Sequence, residues 1–187
     1  GAAEPADRVG FLFRLGQLCQ ERLDSLDRAA SAYEQILTLD PEHLASARLL
    51  EGLYEAAGAS DKLYAILQHE LERVTGAERE RVLGKMAQVS DEGLEDLDRS
   101  IELYRELLAK NPRNDQAFAA LEGLLERAGR PEELRTLLAD RLAQTLEPRE
   151  VVRLNEQLGR VVYRLLKQPE AAVAYFKAAL DRDPGHR

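Results

Sequence analysis

The feature that most constrains this 187-residue chain is an internal repeat with a period of about 71 residues. Three segments end alike, each with a polar residue followed by proline. An aromatic residue stands eight positions before each proline, and small residues stand twelve and 25 positions before it. The three copies read Gly16, Ala29, Tyr33, Asp40-Pro41; Ala87, Ser100, Tyr104, Asn111-Pro112; and Gly159, Ala172, Phe176, Asp183-Pro184. Four positions in register over three copies predict a repeat architecture.

A second type of segment lies between these copies. Leu50-Glu51-Gly52-Leu53 recurs 71 residues later as Leu121-Glu122-Gly123-Leu124, and Gly58 recurs as Gly129. Four apolar positions follow the same offset: Leu63, Ile66, Leu67 and Leu71 recur as Leu134, Leu137, Leu138 and Leu142. The chain therefore reads as two and a half copies of a four-helix unit, and each unit divides into two helical hairpins of about 34 residues.

Composition and spacing both favour helix. Leu, Ala, Glu and Arg dominate, only 5% of residues are aromatic, and apolar residues recur at i, i+3, i+4 and i+7. Asp40 and Asn111 are predicted N-caps with proline at the first helical position, and Gly58 and Gly129 are predicted left-handed helix ends. The predicted helices are 7–22, 26–39, 42–57, 60–74, 77–90, 96–110, 113–128, 131–145, 148–165 and 168–182.

The repeated positions resemble the Leu-Gly, Ala, Phe and Pro signature of the tetratricopeptide repeat family. Leu15-Gly16 begins one such set and Leu158-Gly159 begins another, while the middle copy, with Met86-Ala87, matches less closely. The resemblance implies an all-α fold: a right-handed solenoid of about five antiparallel helix pairs, at about 7–40, 41–74, 75–111, 112–146 and 147–183. These pairs are expected to form a single domain over residues 7–187, with residues 1–6 as a tail or a cloning remnant.

The resemblance also implies a concave groove lined by the first helix of each pair. The candidate groove residues are Phe13, Gln17, Arg48, Glu55, Arg81, Gln88, Arg127, Arg153, Glu156, Arg160, Tyr163 and Arg164. The last pair is the richest, because Arg153, Arg160 and Arg164 flank an aromatic ring and arginines bind carboxylates. One interpretation is a site for an acidic peptide; the other is a solvated helix face with pairs such as Glu156–Arg160. The Lys and Asn set of chaperone-binding family members is absent.

No catalytic, cofactor or metal site is predicted. Cys19 is the only cysteine and falls on an apolar helix face, and the three histidines, His43, His69 and His186, are far apart. The carboxylates Asp91, Glu92, Glu95 and Asp96 fall in or beside an inter-helix turn, which favours solvated surface. A net charge of −8 disfavours nucleic acid, and no apolar run approaches the ~18 residues of a membrane span.

The predicted function is a protein-interaction scaffold that binds a peptide or helix on the concave groove and does not catalyse a reaction. The alternative is a substrate-docking or regulatory domain of a larger enzyme, and a third hypothesis, RNA processing, is weakened by the acidic charge. The chain is expected to be a fragment of a longer array. On that view the strip Val173, Phe176, Ala179 and Leu180 is more exposed than its equivalent on 26–39 and supports self-association. Partner, process and compartment stay open.

Overall fold

In a computed structural model, which describes residues 5–183, the chain is built from α-helices and the described part contains no strand. The ten helices within that range are α1 (Pro5–Glu21), α2 (Leu26–Leu39), α3 (Leu44–Ala56), α4 (Ser60–Leu71), α5 (Gly76–Gln88), α6 (Leu97–Lys110), α7 (Asp115–Arg127), α8 (Pro131–Gln144), α9 (Pro148–Arg160) and α10 (Pro169–Arg182). Helices α5 and α9 continue into wide π turns, Val89–Gly93 and Val161–Leu165. The predicted all-α fold is confirmed.

The repeat is reproduced in the helix bounds. Helices α3 and α4 begin 71 residues before α7 and α8, and α5 with its π turn coincides with α9 and its π turn after a shift of 72 residues. Helix α1 begins at Pro5, so two residues of the predicted tail 1–6 are helical, and the other four lie outside the described residues.

The helices form two compact units, which divide inside α6 between Leu103 and Tyr104. In the first unit α1 packs on α2, α2 on α3, α3 on α4, and α4 on α5; in the second, α7 packs on α8, α8 on α9, and α9 on α10. Each unit buries the apolar stripes of its helices. The fully buried large side chains are Tyr33, Ile36, Leu50, Leu67, Leu83, Met86 and Ile101 in the first unit, and Leu121, Leu125, Leu134, Leu138 and Leu154 in the second.

Small residues let paired helices approach closely, as the spacing predicts. A Cβ atom built on Gly16 would lie 2.5 Å from Cε1 of Tyr33, and one built on Gly159 would lie 2.6 Å from Cε1 of Phe176. Ala29 and Ala172, on the facing helices, are buried. The aromatic side chains of α2 and α10 therefore fill the space that a larger residue on α1 or α9 would need.

The glycines at 58 and 129 end their helices as predicted. Both have φ of +64°. The backbone N–H of the residue after each glycine donates a hydrogen bond to the carbonyl oxygen five residues before that donor. These bonds are Ala59 N to Tyr54 O, 2.9 Å, and Arg130 N to Leu125 O, 3.0 Å. Because glycine has no Cβ, it takes this left-handed conformation without steric cost.

The odd hairpins use a wider turn, which accounts for their one extra residue. Ser25, Asp96 and Gln168 each donate a backbone bond to the carbonyl six positions back, at 2.7–3.0 Å. The residue before each of them is left-handed and is not glycine: Asp24 (φ 46°), Glu95 (φ 55°) and Lys167 (φ 57°). The two turn types thus alternate along the chain.

The predicted N-caps Asp40 and Asn111 are wrong by three residues. Asp40 ends α2, and its Oδ1 accepts a bond from Glu42 N at 3.2 Å. The caps are His43, whose Nδ1 accepts from Ser46 N at 3.2 Å, and Asn114, whose Oδ1 accepts from Ala117 N at 2.9 Å. The prolines at 41 and 112 lie in the connecting turns, so the helices begin after them.

The predicted difference in exposure between the first and last pairs is confirmed. Tyr33 is fully buried, whereas Phe176 is half-buried, and Val173 and Leu180 are each 48% exposed. Within residues 5–183 no helix combines the length and the apolar character needed to cross a lipid bilayer.

Candidate functional site

The candidate site is the first-helix face, which we define as the side chains on α3 and α5 in the first unit and on α7 and α9 in the second. In the first unit this face centres on Glu51, which lies on α3 among leucines and is only 7% exposed. Arg81 of α5 donates to both carboxylate oxygens of Glu51, at 3.0 and 3.2 Å, and Lys85 donates to Oε1 at 2.7 Å. Partly buried ion pairs therefore join α3 to α5, which are the first helices of two successive helix pairs.

A second carboxylate enters this cluster from α4. Glu70 is 1% exposed, and its Oε2 accepts a bond from Nη2 of Arg81 at 3.1 Å. Its other oxygen, Oε1, is buried and has no hydrogen-bond partner among the described residues. Arg81 thus bridges two buried carboxylates, and the Glu70 carboxylate is only half satisfied.

The pKa values of the two carboxylates move in opposite directions. Burial alone would raise the pKa of Glu51, but the hydrogen bonds and charges of Arg81 and Lys85 outweigh it, so the pKa is lowered. Burial raises the pKa of Glu70, the charge of Glu51 raises it further, and Arg81 only partly offsets both. We therefore expect Glu51 to be the ionised member and Glu70 the more readily protonated one.

Ion pairs also neutralise the edge of this cluster. Arg48 bonds to Glu78 at 2.9 Å, Arg81 to the same carboxylate at 3.1 Å, and Lys85 to Glu55 at 2.7 Å. Two of the arginines predicted to line the groove, Arg48 and Arg81, are therefore already bound to carboxylates of this chain.

The second unit repeats the arrangement with fewer charged contacts to the glutamate. Glu122 occupies the position of Glu51, and Gln157, in the position of Lys85, donates to it at 2.7 Å. Arg153, in the position of Arg81, instead bonds to Gln157 at 2.8 Å and lies 3.8 Å from Glu150. Burial raises the pKa of Glu122, because the charge of Arg153 and the bond from Gln157 do not compensate for it.

The remaining predicted groove residues fall into two groups. Phe13 packs against the rings of Tyr33 and His43, with centroids 5.8 and 5.5 Å apart, so it belongs to the packing of the first unit. The others are exposed on first helices or on their final turns. They are Gln17, Gln88, Arg127, Arg160, Tyr163 and Arg164. Of these, Gln88 bonds to Glu92, and Arg160 pairs with Glu156.

The end of α9 and the π turn after it expose three of the predicted groove residues. Tyr163 is 54% exposed in the π turn, while the neighbouring Val161 and Val162 are buried. Arg160 precedes the turn and Arg164 lies within it, and both are exposed. Arg164 has no ion-pair partner in the part of the chain that the structure describes. The turn therefore presents an aromatic ring and an uncommitted guanidinium to solvent.

No group of three potential metal ligands occurs among residues 5–183. His43 serves as a helix cap, His186 lies outside the described residues, and burial and the charge of Arg73 lower the pKa of His69. Cys19 is buried, as predicted. A shallow cleft of about 190 Å³ lies beside Tyr54, Lys85 and Gln88 in the first unit.

Three residues of this face were not predicted from the sequence: Glu51, Glu70 and Lys85. One signal was available for the first of them. Glu51 and Glu122 recur 71 residues apart inside an otherwise apolar Leu-Glu-Gly-Leu segment, which indicates a buried and paired carboxylate. No comparable signal marks Glu70, because its position in the second unit is occupied by Arg141.

Comparison with known families decides the identity of the repeat. Residues 9–43 and 152–186 each match the tetratricopeptide repeat model. The chain carries tetratricopeptide repeats. The two matched segments are the first and last odd hairpins, which also carry the fullest signature. A comparison with curated proteins gives no match.

Solved structures share the fold of this tetratricopeptide repeat chain at low sequence identity. A MamA protein has a TM-score of 0.57 at 17% identity, covering 96% of this chain and 93% of that chain. YrrB, described as a tetratricopeptide repeat protein with an unusual peptide-binding site, has a TM-score of 0.54 at 14% identity, covering 100% and 95%. The N-terminal domain of stress-induced protein-1 from C. elegans has 0.52 at 13%, covering 66% and 98%. These likenesses establish the fold.

Proposed function

We propose that this chain is a protein-interaction scaffold that binds an acidic peptide segment at the end of α9. A tetratricopeptide repeat fold supports a scaffold role and implies protein or peptide partners. The observation that carries the finer proposal is the exposed pair Tyr163 and Arg164 in the π turn, next to Arg160. The peptide-binding site in the description of YrrB, which has the same fold, is consistent with this use of the repeats.

The electrostatics favour this end of the first-helix face over the Glu51 cluster. In that cluster Arg81 and Lys85 already bind Glu51, so an incoming carboxylate would have to displace an existing ion pair. Arg164 has no such competitor within the described residues, and the pair of Arg160 with Glu156 is a largely exposed one on a single helix, which contributes little. An exposed tyrosine beside an uncommitted guanidinium can pack on a peptide and bind its carboxylate bidentately, which are the contacts typical of binding hot spots.

Binding to an array of immobilised 12-residue peptides that vary in Asp, Glu and aromatic content tests this proposal. We expect the chain to retain peptides that contain at least two carboxylates, and to lose roughly tenfold in affinity when Arg160→Glu and Arg164→Glu are combined. The double variant Arg28→Glu with Arg113→Glu makes the same change in net charge away from the C-terminal end of α9 and serves as the control.

Circular dichroism should show equal helicity for all three proteins, because every substituted residue is exposed. Binding should also weaken as the salt concentration rises, since exposed charges are screened. If the Arg160 and Arg164 variant binds the peptides as well as the control does, the site lies elsewhere. The alternative of a docking domain in a larger enzyme is not favoured by any particular contact in residues 5–183.

A further inference from the structure

Helix α1 carries an apolar stripe that faces solvent. Phe11 is 64% exposed, Leu15 49% and Leu18 51%, and their spacing of four and three residues places them on one side of the helix. Large side chains exposed in a row are unusual, because apolar surface in contact with water costs free energy. The stripe is separate from the α1–α2 contact, which uses Gly16 and Cys19.

The other copies of the repeat show these positions buried. Their equivalents on α5 and its π turn are Val82, Met86 and Val89, which are 0%, 1% and 9% exposed. The equivalents on α9 and its π turn are Leu154, Leu158 and Val161, at 0%, 0% and 6%. The same face of the repeat is thus a helix-binding surface in two copies and an open one in the first.

In the first unit, helix α4 is what covers this face of α5. At one end Nη1 of Arg79, in the first turn of α5, donates to the carbonyl of Leu71, the last residue of α4, at 2.7 Å. At the other end Gly93 lies against Ser60, the first residue of α4, so that a Cβ on Gly93 would be 2.4 Å from the Ser60 hydroxyl. Helix α4 therefore runs antiparallel to α5 along the whole stripe.

The second unit uses α8 in the same way. Arg141 of α8 bonds to Glu150 in the first turn of α9 at 3.0 Å, and α8 also contacts the π turn that follows α9. In both units the occupant is an antiparallel amphipathic helix whose last turn meets the first turn of the covered helix through an arginine.

The open stripe on α1 has an arginine at the equivalent place. Arg8 occupies the position of Arg79, where a guanidinium can bind the last carbonyls of an overlying helix. Arg14 and Arg22 lie three or four residues from stripe residues, as do Asp7 and Glu21, so three exposed cations and two exposed carboxylates border the stripe. None of the three has an ion-pair partner among residues 5–183. A complementary helix would present carboxylates along its edges.

We propose that the stripe Phe11, Leu15 and Leu18 is a docking site for an amphipathic helix of a partner polypeptide. The helix lies antiparallel to α1, covers the stripe with an apolar face, carries acidic residues at its edges, and places its C-terminus at Arg8. This site is independent of the peptide site proposed at the end of α9.

The helix α4 itself supplies a probe, because it binds the equivalent face. A fluorescein-labelled, end-blocked peptide of residues 59–74 contains the apolar residues Leu63, Ile66 and Leu67 with Asp61 and Glu70. Titration of the whole chain into this peptide should give a saturable rise in fluorescence anisotropy. Leu15→Glu combined with Leu18→Glu should weaken binding by at least roughly tenfold.

The matched control is Leu180→Glu, which changes a 48% exposed leucine on α10 and should leave probe binding unchanged. Thermal unfolding checks that the α1 variant stays folded, as expected for exposed positions. A second variant, Arg8→Glu with Arg14→Glu, should weaken binding through charge alone. The Arg160→Glu and Arg164→Glu protein should bind the probe normally, which separates this proposal from the peptide site.

Two results would overturn the proposal. The first is the absence of saturable binding when the chain is titrated up to about 1 mM, a concentration that detects even weak complexes. The second is a wild-type chain that dimerises in sedimentation velocity while the Leu15 and Leu18 variant stays monomeric. That result would make a second copy of this chain the occupant.

Discussion

Gly16 lies against the edge of the Tyr33 ring, with room for a hydrogen atom but not for a methyl group: a Cβ would be 2.5 Å from Cε1. Because Tyr33 is fully buried and packs against Phe13, its ring cannot move without disturbing its neighbours. We expect Gly16→Ala to lower the free energy of unfolding by about 1–3 kcal/mol, the usual effect of overpacking. Urea denaturation measures this change.

Gly159→Ala is the companion of that variant. Its Cβ would lie 2.6 Å from Cε1 of Phe176, a contact as close as the one at Gly16. Phe176 is only half-buried, however, so its ring can turn outward. We expect Gly159→Ala to lower the free energy of unfolding by less than Gly16→Ala does. Equal decreases would show that movement of the Phe176 ring does not relieve the contact.

Gly52 and Gly123 behave in the opposite way. Each lies inside a first helix, and a Cβ at either position would meet no atom within 4 Å. Because glycine inside a helix is less favourable than alanine by about 0.5–1 kcal/mol, Gly52→Ala and Gly123→Ala should each stabilise the chain by that amount. Thermal and urea unfolding of the two variants check this, and a loss at either site would reveal a requirement for glycine that the packing does not explain.

The wide turns of the odd hairpins carry conformational strain. Glu95 and Lys167 have φ of 55° and 57°, where residues with a Cβ are disfavoured. We expect Glu95→Gly and Lys167→Gly to stabilise the chain by about 0.5–1 kcal/mol each, despite the entropy that glycine adds to the unfolded state. Asp24→Gly should stabilise the chain by a smaller amount, since Asp tolerates the left-handed conformation better than Glu or Lys does.

The reverse change, Gly58→Ala, is the control for that series. Its φ of +64° is also left-handed, and the site is otherwise open. It should therefore destabilise the chain by about 1 kcal/mol through backbone strain alone. If the glycine variants at 95 and 167 are no more stable than wild type, the wide turn does not strain its left-handed residue.

The Glu51 cluster should make stability depend on pH. The pKa of Glu51 in the folded state lies below its ordinary value of 4.5, so ionised Glu51 stabilises the chain above that value. This contribution is lost as the pH falls through the folded-state pKa. Glu51→Gln removes the charge bound by Arg81 and Lys85, and we expect a loss of roughly 2 kcal/mol at pH 7. The loss should shrink in acid, as urea denaturation at pH 7 and pH 4 would measure.

Glu70 should respond with the opposite sign. Its pKa in the folded state lies above its ordinary value of 4.5, so folding favours its protonated form. The corresponding stabilisation is present below the unfolded-state pKa and is lost as the pH rises through the folded-state pKa. Glu70→Gln keeps an acceptor for Arg81 and removes the repulsion with Glu51. It should therefore be neutral or stabilising at pH 7, and a loss as large as that of Glu51→Gln would contradict the assignment.

Much of the fold follows from local rules that the sequence displays. The apolar spacing and the two turn glycines located the helices, because a 3.6-residue period and a left-handed helix end each leave a recognisable residue pattern. The wide turns left no such pattern, since Asp24, Glu95 and Lys167 share no chemistry that marks a left-handed residue. The N-caps were misplaced because Pro41 and Pro112 suit a turn as well as a first helical position.

The candidate site was less predictable for a different reason. A glutamate within a helix usually faces solvent, and only the packing of α3, α4 and α5 shows that Glu51 and Glu70 share Arg81. The state of each predicted groove arginine likewise depends on which carboxylate its long side chain reaches. Arg48 and Arg164 cannot be distinguished by spacing, yet one is paired with Glu78 and the other has no ion-pair partner within residues 5–183.

The alternation of two turn types also limits how such a chain can grow. A hairpin closed by Gly58 presents its helices after a shorter turn than a hairpin closed by Asp24, and each kind packs against the other kind. Deleting or duplicating a single hairpin would bring two hairpins of the same kind together. A glutamate such as Glu51 would then face a helix without the arginine that binds it in this chain, Arg81. We therefore expect the 71-residue pair of hairpins to be the smallest unit that can be added or removed without loss of folding. Gene-level insertions that preserve folding should come in whole multiples of that length.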